Sequence, residues 1–307
     1  MMERLHELLA QRLAGLDLSP QDLLARDAPG GLTAPERISA NGSCRLIAAQ
    51  NGWIALNLAR EDDLDLIPAL AGRDGDPWDA VAAAAQESAA ADFRDRAAEL
   101  QLPVAVVGES APQTLAPPGG STVPGRVVDL SALWAGPLCA GLLARAGAEV
   151  LRIESAGRPD PTPAGSPLLD ARINADKARL ALDLRTLDGR ARLRTELEHA
   201  DVLVTSARPA ALARLGLEPA TFPHLTRVAI TAHGFSGAGA ARVGFGDDCA
   251  AAGGLVRWGQ GEPRFMGDAL ADPLTGLEAA LAVLAGQRGL IDMAMARVAA
   301  AYAERLA

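Results

Sequence analysis

From Arg126 to Thr231 the chain alternates short aliphatic runs of β type with helical stretches, and few folds accept that order. Arg126-Val127-Val128-Asp129-Leu130 predicts a strand, Gly136 to Ala146 a helix, and Glu149-Val150-Leu151-Arg152-Ile153 a second strand. The pattern continues with a strand over Leu180 to Leu184, a helix over Leu187 to Glu198 and a strand over Asp201-Val202-Leu203-Val204. A short helix over Ala210 to Leu215 and a strand over Arg227-Val228-Ala229-Ile230-Thr231 complete it. Two neighbouring strands that run the same way need a crossover between them, and a helix supplies it, so the alternation predicts a mostly parallel sheet covered on both faces. The expected class is α/β, with a Rossmann-like, doubly wound sheet and a smaller N-terminal α+β domain. Aromatic residues make up 3% of the chain, so the core must be built from Ala, Leu and Val, which suits helices packed closely on a sheet.

The run at 109–125, rich in Pro, Gly, Ser and Thr, has no sustained apolar period and reads as a linker. It separates a smaller α+β domain at 1–108 from a Rossmann-like domain at 126–307. Leu5, Leu8, Leu9 and Leu13 share one helical stripe, and Ser19-Pro20 suits the cap and first turn of a second short helix. Two β-type runs, 43–47 and 53–58, flank Asn51-Gly52, a strong hairpin signal. Helices over 61–71 and 76–100 and a strand over 102–107 close this part. Near the other end, Asp272-Pro273-Leu274-Thr275 opens a helix to about Gln287, and an Ala-rich helix comes after Met293.

A formal net charge of −9 argues against nucleic acid or an anionic membrane as partner, because phosphate binding needs a basic surface. Cys44, Cys139 and Cys249 are widely spaced, with no CxxC pair, and are expected to be reduced and packed, with no metal site. No signal peptide is legible and no apolar run approaches the ~18 residues that span a bilayer, so the expected location is cytoplasmic.

The most informative local feature is Gly267-Asp268-Ala269-Leu270-Ala271-Asp272-Pro273-Leu274-Thr275-Gly276. Asp before Pro and an apolar helix is an ordinary N-cap pattern. The same geometry would also orient an ionised carboxylate beside unsatisfied N–H donors, where covalent chemistry on a thioester becomes feasible. Weaker candidates are His233 at a strand end, the acidic pair Asp247 and Asp248, and Arg152, Arg185, Arg208 and Arg214, which come after strands or sit in short connections and could clamp phosphates.

Several segments, in order, carry a resemblance: Val128-Asp129-Leu130 with Ala135-Gly136-Pro137, LLARAGAEVLRIE at 142–154, NADKARLALDLRTLDG at 174–189, DVLVTSARPAALARLG at 201–216, 230–237, and Ala271-Asp272-Pro273-Leu274-Thr275-Gly276-Leu277. They resemble the class III CoA-transferases, the family of formyl-CoA transferase, carnitine CoA-transferase and α-methylacyl-CoA racemase. The resemblance implies that Asp272 forms an acyl-aspartyl anhydride and then an aspartyl-CoA thioester. It puts CoA contacts on Leu133, Trp134 and Ala135 near the acyl end, and on Leu182, Arg185, Ser206, Ala207, Arg214 and Leu215 along the nucleotide. Coenzyme A would enter as acyl-CoA substrate, with no permanently bound cofactor and a small carboxylic acid as co-substrate, in a homodimer that is interlocked in relatives.

This chain departs from the family in three ways. Ser206-Ala207 stands where relatives often have Asn-Phe. Gly246 occupies a position that is usually acidic, with the acids displaced to Asp247 and Asp248. In the family the smaller domain and glycine loop come after the matched region, whereas here residues 41–107 resemble that smaller domain and precede it, as in a permuted or shortened member. The expected activity is CoA transfer through Asp272. The alternatives are an acyl-CoA racemase and a non-catalytic CoA-binding or scaffold protein.

Overall fold

The computed structural model describes residues 1–27 and 35–307. Helices α1 (Met2–Arg12) and α2 (Pro20–Leu24) open it. The Ser19 hydroxyl accepts the Asp22 N–H at 3.1 Å, and Pro20 takes the first helical position, where no donor is needed. Leu5, Leu9, Leu13 and Leu23 are buried, not against the hairpin next in sequence, but in the largest apolar cluster with Leu138, Leu142 and Ile173. Arg12, also buried, donates to Glu278 Oε1 and to the Ala116 carbonyl at 2.8 Å each, and Tyr302 donates to the same Glu278 oxygen at 2.6 Å.

Strands β1 (Cys44–Ala49) and β2 (Gly52–Asn57) form the expected hairpin. Ala49 pairs with Gly52, so the turn is Gln50-Asn51 and the glycine belongs to the strand. The helical stretch after β2 breaks into α3 (Glu61–Asp65) and α4 (Ile67–Ala71), since Pro68 cannot donate to the preceding turn. The next becomes α5 (Pro77–Gln86) and α6 (Ala90–Glu99). Here a tertiary contact makes the break: the hairpin tip captures the junction, with Asn51 Oδ1 accepting the Ala90 N–H at 2.8 Å and the Ser88 carbonyl accepting the Gln50 N–H at 3.1 Å. β3 (Val104–Val106) adds antiparallel to β2, and Ile54, Leu56, Val81 and Phe93 fill the space beneath this small sheet.

The larger unit begins with β4 (Arg126–Leu130), α7 (Ala135–Arg145) and β5 (Glu149–Ser155). It continues through α8 (Thr162–Gly165), α9 (Pro167–Asn174), β6 (Ala178–Leu182), α10 (Leu187–Glu198), β7 (Val202–Thr205), α11 (Pro209–Arg214) and β8 (Thr226–Thr231). Then come α12 (Gly246–Ala252), a β9 (Val256–Gly259) and β10 (Glu262–Phe265) hairpin, α13 (Ala271–Leu284), β11 (Leu290–Ala294) and α14 (Met295–Leu306). The six-stranded sheet has the order β11-β8-β7-β4-β5-β6 with all pairings parallel, as the alternation of elements predicts.

The sheet's edge strand β6 lies two residues before the expected 180–184, in register with β5 from Leu151 opposite Ala178. Helix α9 escapes the sequence because its cap comes from elsewhere: Asp27 Oδ1 accepts the Leu168 and Leu169 N–H groups at 3.0 and 3.2 Å. Helix α12 shows no amphipathic period because every residue in it is buried. It joins the two units, with Asn57 of β2 donating to Asp248 at 3.1 Å and the Ala251 carbonyl accepting the Gly108 N–H at 2.9 Å.

Candidate active site

In the large sheet β4 comes first, β5 and β6 lie to one side of it, and β7, β8 and β11 to the other. The loops after β4 and β7 therefore leave in opposite directions and open a crevice, the usual place for a ligand on such a sheet. Ser206 Oγ bridges the crevice by accepting the Ala132 N–H at 3.1 Å. Leu133, next in the chain, has φ +67°, an unusual value for a leucine, and is 39% exposed. Asp160 holds it there, accepting its N–H at 3.1 Å. Asp160 is in turn held by Arg152 at 2.5 Å.

Arg152 is therefore not a phosphate clamp. Its side chain is fully buried and ties Asp160, Asp129 and Glu154 together beneath the loop. Lys177, to which the sequence assigned no role, joins the same cluster, donating to Asp129 Oδ2 at 2.8 Å, the Pro137 carbonyl at 2.6 Å and Asn174 at 2.7 Å. Burial alone would raise the Asp129 carboxyl. Lys177 and Arg152 outweigh it, and the group sits below its ordinary value of 3.8. This ionic core fixes the start of α7, where Trp134 and Ala135 are buried and Ala135 opens the helix.

Of the remaining positions expected to meet CoA, Leu182, Ala207 and Leu215 pack on one apolar layer beside Phe222 and Leu225. Arg185 stands apart. Its side chain is 78% exposed, and both its Nε and Nη2 donate to Asp183 at 2.9 Å. Arg214 is exposed at the end of α11, and Arg208 turns instead toward Gln101.

Asp272 lies in the first turn of α13, but it does not cap that helix. Leu270 holds the cap position and no side chain caps the helix end. The half-buried carboxyl faces the Gly246 N–H that starts α12. A Cβ at Gly246 would collide with Asp272 Oδ2 and with Ala269, so the residue that breaks the family's acidic pattern is also the one that lets the two helix starts meet. Burial pushes the Asp272 carboxyl up to about 7; Asp248 and Asp268 push the same way, while Arg26 and the Gly246 N–H pull down.

The acidic pair belongs to this site. Asp247 Oδ1 accepts the Ala269 N–H at 2.9 Å and so holds the turn before α13, in which Ala269 has φ +45°. Asp248 Oδ1 accepts the Phe245 N–H at 2.9 Å and the Asn57 amide at 3.1 Å. Burial pushes both carboxyls up to about 7. Arg26, which the sequence did not single out, donates from Nε and Nη2 to Asp268 at 2.8 Å each and stacks 5.3 Å from the Trp134 ring centre. Only the position of Asp268 within the Gly267–Gly276 segment hinted at such a partner.

His233 points its buried, unpartnered Nε2 into the same region, and the donor atoms of His233, Asp248 and Cys249 lie within 4.8 Å of one another. Burial and the nearby arginines lower the imidazole to about 3, so it is a weak base. Cys44, Cys139 and Cys249 are buried, unbridged thiols. A cleft of about 140 Å³, which Asp272 does not line, lies between the 113–116 segment and β11.

A profile described as "CoA-transferase family III" matches residues 125–302. The chain is 31% identical over 173 residues to succinyl-CoA–D-citramalate CoA-transferase of Chloroflexus aurantiacus, across 52% of this chain and 43% of that protein. Human succinyl-CoA:glutarate CoA-transferase is 29% identical over 175 residues, across 52% of this chain and 40% of that one. A crystal structure of the hypothetical protein Rv3272 from Mycobacterium tuberculosis aligns with a TM-score of 0.54 at 28% identity, over 62% of this chain and 59% of that one. The chain spans less than half the length of both of these curated relatives. No described helix is long and apolar enough to cross a membrane. From β4 into α14 the match is continuous, and the chain belongs to CoA-transferase family III.

Proposed function

We propose that this protein moves CoA between an acyl-CoA and a carboxylic acid, with the Asp272 carboxylate as covalent carrier. The observation that carries the reading is Asp272 itself. It is a carboxyl that neither caps its helix nor is bound in a salt bridge, remains partly exposed, and titrates at about 7. A carboxylate that is half ionised near neutrality and poorly solvated is a better nucleophile than one spread among water molecules.

An Asp272 oxygen attacks the thioester carbonyl, the C–S bond breaks, and CoA departs as thiolate, leaving a mixed anhydride. The thiolate then attacks the aspartyl carbonyl and expels the donor acid as carboxylate. The acceptor carboxylate reverses both steps, so Asp272 is regenerated and no electron is gained or lost. The Ala135 and Gly136 N–H groups at the start of α7 are the donors assigned to the oxyanion. The crevice between the loops after β4 and β7 takes the CoA arm, bordered by Leu133, Trp134 and Ser206. The working unit in this reading is a homodimer, which light scattering checks.

Incubation with a panel of acyl-CoAs, followed by intact mass measurement, should reveal a hydroxylamine-sensitive adduct. Asp272→Asn should lower its formation by at least about 10³-fold with an unchanged circular dichroism spectrum. An Asp272→Asn protein that still forms the adduct refutes the assignment. Racemisation by His233 is the weaker reading, because its conjugate acid at about 3 makes it a poor proton acceptor.

A further inference from the structure

Donor groups from two parts of the chain meet beside the first turn of α12. His233 follows β8, and Asp248 and Cys249 are neighbours in α12. Their ligating atoms lie within 4.8 Å of one another, and all three residues are buried. Each keeps an atom uncommitted. His233 is 7% exposed, and its Nε2 is buried with no partner among the described residues. Asp248 commits Oδ1 to the Phe245 N–H and the Asn57 amide, which leaves Oδ2. The Cys249 thiol has only long contacts, to that Oδ2 at 3.9 Å and to the Ala232 carbonyl at 3.7 Å, and S–H is a weak donor. Burying a ring nitrogen unpartnered is costly, and a bound ion removes the cost.

Imidazole, thiolate and carboxylate together are a donor set for zinc. Zinc bond lengths of about 2.0–2.3 Å put tetrahedral donors roughly 3.3–3.6 Å apart. Sγ and Oδ2 stand at 3.9 Å, and rotation about the soft terminal torsions of His233 and Asp248 closes the wider gaps. The charges balance as well. Thiolate and carboxylate neutralise a divalent ion, and the imidazole, lowered to about 3, enters as the neutral ring. Arg242 and Arg94, whose charges reach that ring, are each paired with Glu109, and Arg297 is exposed. Asn57 supplies the outer hydrogen bond that orients a ligating carboxylate. Gly244 covers the cluster with bare backbone, since a Cβ there would stand 2.7 Å from Oδ2 and 2.8 Å from Sγ.

We propose that His233, Asp248 and Cys249 bind one Zn2+, with solvent in the fourth position, and that the ion clamps the end of β8 to α12. The expectation that the cysteines serve no metal rested on spacing along the chain, and only folding brings His233 to Cys249. Binding displaces the thiol proton, and the Asp248 proton where it is present, to solvent; no group changes oxidation state. Because α12 begins at Gly246, the clamp also steadies the N–H that faces Asp272. The proposal does not depend on the transfer reading, in which none of the three donors bonds to substrate.

Co2+ is the probe, added under reducing conditions to the full chain, both when folded and during refolding from urea, so that burial cannot block its entry. One equivalent should give a thiolate-to-cobalt charge-transfer band with the intense visible bands of a tetrahedral ion, and Zn2+ should displace it. Zn2+ should also raise the melting temperature. Cys249→Ala should abolish the charge-transfer band. His233→Phe should weaken Co2+ binding by more than about 100-fold, and Asn57→Ala by roughly 10- to 100-fold. Cys44→Ala, Cys139→Ala and Asp272→Asn should keep the band. A wild-type chain that shows no saturable band by either route overturns the proposal, whether or not the variants fold. A band that persists in Cys249→Ala, disappears in Cys139→Ala, or is as easily saturated in His233→Phe also overturns it.

Discussion

Asp272 and Asp129 each lie near cationic side chains, yet their surroundings drive them apart. Lys177 and Arg152 both contact Asp129, and their charges exceed the cost of burial, so it is held ionised. Asp272 shares the charge of Arg26 with Asp268 and has Asp248 close by, so burial prevails and the carboxyl rises to about 7. The raised groups carry two expectations. Adduct formation should rise with pH through about 7 and then level off, because Asp272 must be ionised to act as the proposed nucleophile; a flat profile would contradict this. Stability should run the other way. Asp247, Asp248 and Asp272 titrate at about 7 in the folded protein, against 3.8 for an ordinary aspartate. Their contribution is therefore fully present below about pH 4 and is lost as pH rises through about 7, so the melting temperature should fall between about pH 5 and pH 8. Asp248→Asn should flatten that fall. Asp129, shifted downward, works in the opposite sense and loses its contribution only in stronger acid.

At the scale of elements, the site is a meeting of helix starts, α7, α12 and α13, and each was legible to a different degree. The start of α7 could be placed to within a residue from Ala135-Gly136-Pro137 after a clear strand. The start of α13 was also visible, but Asp272 as its cap was not borne out, because Leu270 holds the cap position and the carboxyl turns toward Gly246. Helix α12 was not found at all, since a short segment buried on every side has no polar face to set a period. Its one signal was Asp248, three residues after Phe245, reaching back to that residue's N–H. Gly246→Ala is expected to cost about 1–3 kcal/mol in urea unfolding, because the added methyl has no space to enter, and to slow adduct formation. Arg152→Met should cost more, about 3–5 kcal/mol, since it leaves Asp160 and part of Asp129 unpaired in the interior.

Across the whole molecule, the N-terminal segment is tied to the larger unit by ion pairs from Arg12 to Glu278 and Arg26 to Asp268, and by the hydrogen bonds of Asp27 and Arg172 at α9. The run at 109–125, expected from the sequence to be a linker, is not uniformly exposed. Leu115 and Ala116 are buried, while residues 117–119 and 121–123 are exposed. Thermolysin is expected to nick the chain in or near the exposed stretch. The two fragments should co-elute in gel filtration, because α1 shares an apolar cluster with α13 and α14 and β2 reaches α12; separation of the fragments would disprove this. The sequence alone determined the parallel sheet, the hairpin and the position of Asp272 in its segment, because apolar period, turn chemistry and crossovers depend on neighbours along the chain. The tertiary structure alone decided the company Asp272 keeps: Arg26 from just beyond α2, Gly246 and Asp248 from α12, and through Asp248 the amide of Asn57 from β2. Desolvation and Coulomb energies depend on distance in space, and these groups are brought together by folding from positions up to 246 residues apart.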